Sequence, residues 1–349
     1  MKKYLIGTCG NYGVKNSLND GQTIRTEAVT TEIETAIGQE SLKRLNTGEI
    51  YKNPIGFFFK LFLLGLRSKK IILFPASKAV VYLVPFMVFL KKTLCFNLYY
   101  VGIGGAVAKI AKTKHKWLLF FLKRIDRLFV QTNTLKKGLQ EIGIHQVTVL
   151  PNFKRIKVLG QEELKVYNSP PYKICFFSRV MKEKGIEELI EKIKEINNHT
   201  VIYHLDIYGA INADYSERFE KLRKTFPPYI QYQGVVDFLQ TVEVLKHYYI
   251  QVFPTKYKTE GFPGSILDSY CAGVPVLASK WDSWKDIVEE EKTGFTFEFA
   301  DYEDMKRKLI FLSENPQIIN SMKSTCLKKA ELYQPEKIIK ILLDIILKG

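Results

Sequence analysis

Short runs of β-branched and aromatic residues alternate along the chain with longer stretches in which apolar positions recur every three to four residues. Parallel sheets joined by crossover helices require that alternation. In the first half it predicts strands over 4–8, 71–74, 95–101, 128–131 and 147–150. The second half restarts the pattern with strands over 173–177, 202–208, 230–232, 249–253, 274–277 and 295–297. The expected fold class is α/β, with two doubly wound, Rossmann-like domains and a cleft between them. Residues 152–172 are polar, have no sustained period and end in Ser-Pro-Pro, so they read as the connection. The predicted boundaries are 1–155 for the first domain, 156–171 for the linker and 172–333 for the second domain. Pro335 should break the C-terminal helical stretch, leaving a helix over 334–349 that is expected to pack back on the first domain.

Composition narrows the class. The 349 residues are 46% hydrophobic and 25% charged, which is ordinary for a globular chain long enough for two domains. The five cysteines (Cys9, Cys95, Cys175, Cys271, Cys326) form no CxxC or Cys/His spacing, so a reduced, cytoplasmic protein is expected. The start of the chain has too short an apolar run for a signal peptide. The longest apolar run, 79–90, contains Pro85 and falls short of the about 20 residues that span a bilayer.

The formal charge of +16 is unevenly placed. Residues 51–150 hold 17 basic and 2 acidic side chains, whereas 172–349 hold 25 and 26. Within the basic stretch, 54–70, 88–92, 109–116 and 117–124 mix cations with aromatic and aliphatic residues. Such a face suits an anionic membrane surface. The same apolar residues could instead be helix faces packed on the sheet, with the lysines solvated. Nucleic acid is not expected as a partner, since no RRM, KH, helix-turn-helix or zinc signature accompanies the high pI.

Candidate chemistry lies in the loops after strands, where open parallel sheets bind ligands. Loop 9–23 carries Gly10, Gly13 and Gly21, with Gly21, Gln22 and Thr23 leading into a helix. Glycines there let backbone N–H groups approach a phosphate, or merely turn the chain. Gly102, Gly104 and Gly105 have the same form. In the second half, Arg179 and Lys184 follow a buried strand, where a diphosphate would need cations. The competing reading pairs Lys184 with Glu187 or Glu188 on the next helix. The stretch 254–294 passes from a strand through a Gly/Pro-rich loop into a short helix. Glu260 and Asp268 are then expected about 10 Å apart, with the N–H groups of Gly264 and Ser265 between them. One carboxylate would take sugar hydroxyls, the helix N-terminus a diphosphate, and the other carboxylate ribose hydroxyls. The competing reading makes Glu260 only an acid near a helix start and Asp268 a surface residue.

The run Glu260-Gly261-Phe262-Pro263-Gly264-Ser265-Ile266-Leu267-Asp268, continued by Ala272-Gly273-Val274-Pro275-Val276-Leu277-Ala278-Ser279, resembles the Glu-x7-Glu stretch of the retaining GT-B glycosyltransferases of family 4. Asp286-Ile287-Val288, Thr293-Gly294, the Arg179/Lys184 loop and Val149-Leu150-Pro151-Asn152 resemble further motifs of that family. Three departures stand out: Asp268 replaces a glutamate, Ser178 stands where glycine is usual, and Lys280-Trp281-Asp282-Ser283-Trp284 replaces a Gly-Gly. The resemblance implies a hexosyltransferase with the GT-B fold, transferring sugar from a nucleotide donor to a hydroxyl with retention. It implies Glu260, Arg179 and Lys184 as catalytic residues. Donor contacts would come from Asp268, Gly264, Ser265, Phe262, Gly261, Gly21, Gln22 and Gly13. No metal or other cofactor is expected, and a UDP-sugar is expected ahead of a GDP-sugar. With the basic half, the resemblance points to a lipid-linked oligosaccharide acceptor, the inner face of the cell membrane, and capsule, exopolysaccharide or O-antigen assembly. A nucleotide-sugar epimerase on the same fold and a catalytically silent partner subunit remain alternatives.

Overall fold

The computed structural model describes residues 2–13, 21–75, 79–102 and 116–348. By its internal contacts the chain forms two compact units, Met1–Asn152 with Pro335–Gly349, and Phe153–Gln334.

In the first unit, β1 (Tyr4–Gly10), β2 (Leu42–Asn46), β3 (Ser68–Phe74), β4 (Asn97–Val101), β5 (Arg127–Val130) and β6 (Val147–Val149) form one sheet in the order β2-β1-β3-β4-β5-β6. Every pairing is parallel. The helices α1 (Gly21–Ile37), α2 (Pro54–Arg67), α3 (Val80–Leu94), α4 (Leu118–Leu122) and α5 (Asn133–Gln140) lie between consecutive strands. The first crossover steps from β1 outward to β2, and the second returns past β1 to β3. Because parallel crossovers are right-handed, that reversal sends α1 to one face and α2, α3 and α4 to the other. α2 starts at Asn53-Pro54, where the Asn53 side chain accepts from Gly56 N at 2.9 Å and Pro54 needs no partner for a missing N–H. Phe57, Leu61 and Leu64 of α2 join Leu83, Val84 and Met87 of α3 and Leu118 and Leu122 of α4 in the core beneath these helices.

In the second unit, β7 (Tyr172–Phe177), β8 (Tyr203–Tyr208), β9 (Ile230–Gly234), β10 (Ile250–Phe253), β11 (Val276–Ser279) and β12 (Gly294–Phe297) take the order β12-β11-β10-β7-β8-β9, again all parallel. Around them lie α6 (Ile186–Ile196), α7 (Ser216–Arg223), α8 (Thr241–Leu245), α9 (Gly264–Cys271), α10 (Tyr302–Glu314) and α11 (Pro316–Glu331). The chain runs outward from β7 to β9, returns to β10, and then runs outward the other way. The strand order therefore reverses between the adjacent strands β7 and β10. α11 ends before Pro335, which opens α12 (Pro335–Lys348), a helix that packs beside α1 in the first unit.

Several sequence expectations shift. β2 was not expected: only Leu42 and Leu45 of Leu-Lys-Arg-Leu-Asn are buried, and an edge strand needs no more. The strand expected over 95–101 begins at Asn97, because Cys95 ends α3 in the left-handed region at φ 50°. Residues 156–171 lack regular structure beyond one 3-10 turn, yet they are packed within the second unit. Leu159 N donates to Cys271 O at 2.8 Å, and the ring of Tyr167 lies 5.4 Å from that of Tyr249.

α2 predicts a clear contrast in stability. Leu61→Ala, at a fully buried site, should lower the unfolding free energy by about 2–5 kcal/mol, and Phe59→Ala, at an exposed one, by less than about 0.5. Denaturant unfolding followed by circular dichroism measures both. Equal losses would mean that Phe59 belongs to the core.

Candidate functional site

A reversal of strand order leaves a crevice beyond the carboxyl ends of the two strands that flank it. In the second unit those strands are β7 and β10, and their following loops hold Arg179, Lys184 and Glu260.

The loop after β7 is pinned residue by residue. Ser178 N donates to Tyr208 O at 3.1 Å and Val180 N to Ala210 O at 2.9 Å, with Val180 fully buried. Alternation then turns Arg179 outward: it is exposed and makes no ion pair or side-chain hydrogen bond with a described residue. A side chain on Gly209 would place its Cβ 1.9 Å from Ser178 O, so this approach requires glycine. The 3-10 turn Lys182–Lys184 ends at Gly185, whose φ of 73° starts α6. A Cβ there would lie 2.0 Å from Pro254 O, which brings the turn directly against the loop after β10. Lys256 N donates to Glu183 O at 2.8 Å across the same seam.

That seam joins the charges. Lys184 Nζ donates to Glu260 Oε2 at 2.6 Å, with only 12% and 18% of the two side chains exposed. The ammonium also lies 5.5 Å from the centre of the Phe253 ring at the end of β10. Thr255, buried behind them, reaches Glu260 Oε2 at 3.4 Å and is held by Ser279 Oγ, which donates to Thr255 O at 2.7 Å. Lys184 does not pair with Glu187 or Glu188. Glu187 accepts from Tyr215 and Arg218, and Glu188 pairs with Lys256.

α9 begins just beyond Glu260. Its N-cap is Pro263, which offers no side-chain acceptor, and Gly264 and Ser265 in the first turn are partly exposed. From Ile266 onward the helix is buried. Gly261 is buried, and so is Phe262, whose ring meets Tyr333 edge-on at 4.8 Å. The Phe262 side chain is thus occupied in packing.

Asp268 is not the surface acid of the competing reading. It is 1% exposed, and Oδ2 accepts from Lys154 Nζ at 2.5 Å, while Oδ1 is buried with no hydrogen-bond partner. Burial raises its pKa above the usual 3.8, with Lys154 pulling the other way. Sequence reasoning missed Lys154 and Thr255. The one available signal for Lys154 was its place two residues beyond Val149-Leu150-Pro151-Asn152.

Gly13, Gly21 and Gln22 belong to the first unit, where β1 and β3 flank the corresponding reversal. Gly13 takes φ 68° and its N–H donates to Asn11 Oδ1 at 3.2 Å. Gly21 starts α1 with open space where a Cβ would stand. Gln22 Nε2 donates to Phe74 O at 3.2 Å, tying the helix start to the end of β3. Residues 14–20 of this loop lie outside the described residues, as do Gly104, Gly105 and most of 109–116. The replacement loop after β11 is partly core: Trp281 is fully buried against Phe253, and Lys280 pairs with Glu298.

Comparison with solved structures shows a match over the chain's length. A structure of Anabaena HepE in complex with UDP superposes with a TM-score of 0.78 at 13% identity, covering 99% of this chain and 100% of that one. The fold is GT-B. Residues 171–315 match the family described as glycosyl transferases group 1. An uncharacterized glycosyltransferase of Methanocaldococcus jannaschii is 25% identical over 247 residues, 63% of this chain and 59% of that protein. The alpha-galactosylglucosyldiacylglycerol synthase of Streptococcus pneumoniae is 24% identical over 243 residues, 66% of this chain and 63% of that protein. The chain thus matches about three fifths of the length of these relatives. The matched family and the Methanocaldococcus relative carry glycosyltransferase names. In this GT-B chain the group 1 match spans both flanks of the β7/β10 reversal, and with them Arg179, Lys184, Glu260 and Asp268.

The Asp268 environment has a pH signature. A carboxyl whose folded pKa is raised binds its proton more tightly in the folded state. The wild type should therefore lose stability relative to Asp268→Asn as pH rises from about 3.8 through the raised folded value, and level off above it. Paired denaturant titrations across pH measure the gap. A gap that moves in the wild type's favour as pH rises would show that Lys154 outweighs burial.

Proposed function

We propose that the chain is a retaining GT-B glycosyltransferase that moves a sugar from a UDP-sugar to a hydroxyl of a lipid-linked saccharide. The observation that carries this reading is the Lys184–Glu260 pair at the β7/β10 reversal, beside an uncapped α9 and an exposed Arg179. A nucleoside diphosphate sugar meets each part of that arrangement. Its diphosphate takes Arg179, Lys184 and the N–H groups at Gly264 and Ser265. Its sugar hydroxyls take the Glu260 carboxylate, and its ribose hydroxyls donate to Asp268 Oδ1, which lacks a partner in the unliganded chain. Gly261 and Phe262 serve through their backbone.

In the reaction the acceptor oxygen bonds to the anomeric carbon as the bond from that carbon to the diphosphate oxygen breaks. Attack from the leaving-group side gives retention, and the departing phosphate takes the acceptor's proton. Negative charge grows on the diphosphate while the ring becomes oxocarbenium-like. Fixed cations and N–H dipoles then stabilise the transition state more than the ground state. The HepE complexes with UDP and with UDP-glucose, at the level of fold, and the diacylglycerol-linked name of the pneumococcal relative support the donor and acceptor classes. The basic first half supports placement on the inner face of the cell membrane and a surface polysaccharide pathway. No helix of the described residues is long and apolar enough to cross a membrane.

UDP and UDP-sugars should raise the melting temperature more than GDP- or ADP-sugars, and lipid-linked acceptor should accelerate UDP release. Lys184→Met should lower kcat by about 10²–10³-fold. Glu260→Ala should lose most turnover while remaining folded. Anomeric coupling constants in the product report retention. Stabilisation by no nucleotide, or full activity in Glu260→Ala, would sink the assignment.

A further inference from the structure

α2, α3 and α4 lie side by side on one face of the first sheet, and each carries apolar residues on two sides. One side is the core already described. A core helix needs only that stripe, with polar residues opposite. Here the opposite side is also apolar. On α2 it holds Ile55, Phe59 and Leu66, and on α3 Tyr82 and Phe89. On α4 and the residue before it the side holds Trp117 and Phe120, and all seven are exposed. The spacings are helical, 55-59-66 and 82-89, so the rings and aliphatic side chains project from one side of each helix. Phe58 and Phe86, 4.9 Å apart edge to face, join the α2 and α3 stripes.

Cations sit among these side chains. Lys52, Lys92, Lys116 and Lys123 are exposed and make no ion pair with a described residue, and the Arg124 guanidinium lies 3.4 Å from the centre of the Phe120 ring. Lys60 pairs with Glu49 and Lys91 with Asp126. Protein–protein interface cores are depleted in lysine. Nucleic acid would not call for projecting Ile55 and Leu66. Isolated apolar side chains between unpaired cations match an anionic bilayer, where rings enter at the headgroup level and ammonium groups meet lipid phosphates.

We propose that the outer face of α2, α3 and α4 docks on an anionic lipid bilayer, with Phe59, Phe89 and Phe120 entering the interface and Lys92, Lys116 and Lys123 binding lipid headgroups. The proposal rests on the lipid-linked acceptor reading for its purpose. Its test needs no turnover.

The full chain should co-sediment with vesicles of phosphatidylcholine and phosphatidylglycerol, far less with phosphatidylcholine alone, and release as salt is raised. Phe59→Ser with Phe89→Ser, and separately Lys92→Glu with Lys123→Glu, should each weaken binding by about tenfold or more. Both double variants should keep the wild-type melting temperature and any stabilisation by UDP. No binding to anionic vesicles at low salt, or unchanged binding in the charge reversals, overturns the proposal. So does a wild-type dimer that the phenylalanine variant dissociates, which would assign the face to a second copy. A chain that binds vesicles but is not stabilised by UDP would keep this surface and lose the donor assignment.

Discussion

A shielded ammonium and carboxylate 2.6 Å apart are the constraint around which the second unit's site is arranged. Withdrawing both charges from water costs several kcal/mol, and their attraction offsets that only when geometry and surrounding hydrogen bonds are good. Such a pair adds little to stability over well-packed apolar residues. What it provides is a cation held in place without ligand. In the proposed reaction an incoming phosphate shares Lys184, and Glu260 is released toward hydroxyl groups. The cost of desolvating Lys184 has been met in folding, so binding does not bear it again.

That pair exists because two glycines let backbone approach backbone. Gly209 lets the loop after β7 lie against the end of β8, and Gly185 lets the turn before α6 lie on Pro254. Either side chain would push the loops apart by more than ordinary rotamer adjustment can absorb. The strand order adds the rest. Only where the chain reverses direction through the sheet do two neighbouring strands send their loops apart, and Arg179, Lys184 and Glu260 all stand at that point.

Much of this was legible beforehand, for identifiable reasons. Buried parallel strands are continuous apolar runs, so eleven of the twelve strands announced themselves within a few residues. β2 did not, because an edge strand with two buried leucines has no such run. The Glu260–Asp268 spacing and the cations after β7 were visible as a linear pattern. The partner of Asp268 was not, since Lys154 lies 114 residues away in sequence and only packing brings it near. The same holds for residues 156–171. Their polarity and prolines signal irregular backbone, but irregular backbone can still be packed, as Leu159 and Tyr167 are. Phe262 sits in a ligand-like motif yet has its ring committed to Tyr333, a distinction between side-chain and backbone roles that a motif does not carry.

The charge difference between the halves is one of pairing as well as number. In the second unit Lys192 bridges Glu195 and Glu303, Lys306 meets Glu195, and Lys246 meets Glu163 and Glu243. Cations neutralised at such short range contribute little field beyond a Debye length. In the proposed site the cations that meet an anion are Arg179, exposed and without an ion pair to a described residue, and Lys184, whose pair can be shared. Residues 51–150 have 17 cations and 2 acids, so their own acids balance little of their charge. A distributed field of that kind attracts any extended anionic surface without specifying its chemistry. Under the proposed function the second unit suits a small anion held by geometry. Under the bilayer proposal the first suits a broad one held by charge, with the apolar side chains exposed among its lysines favouring a lipid surface over other polyanions.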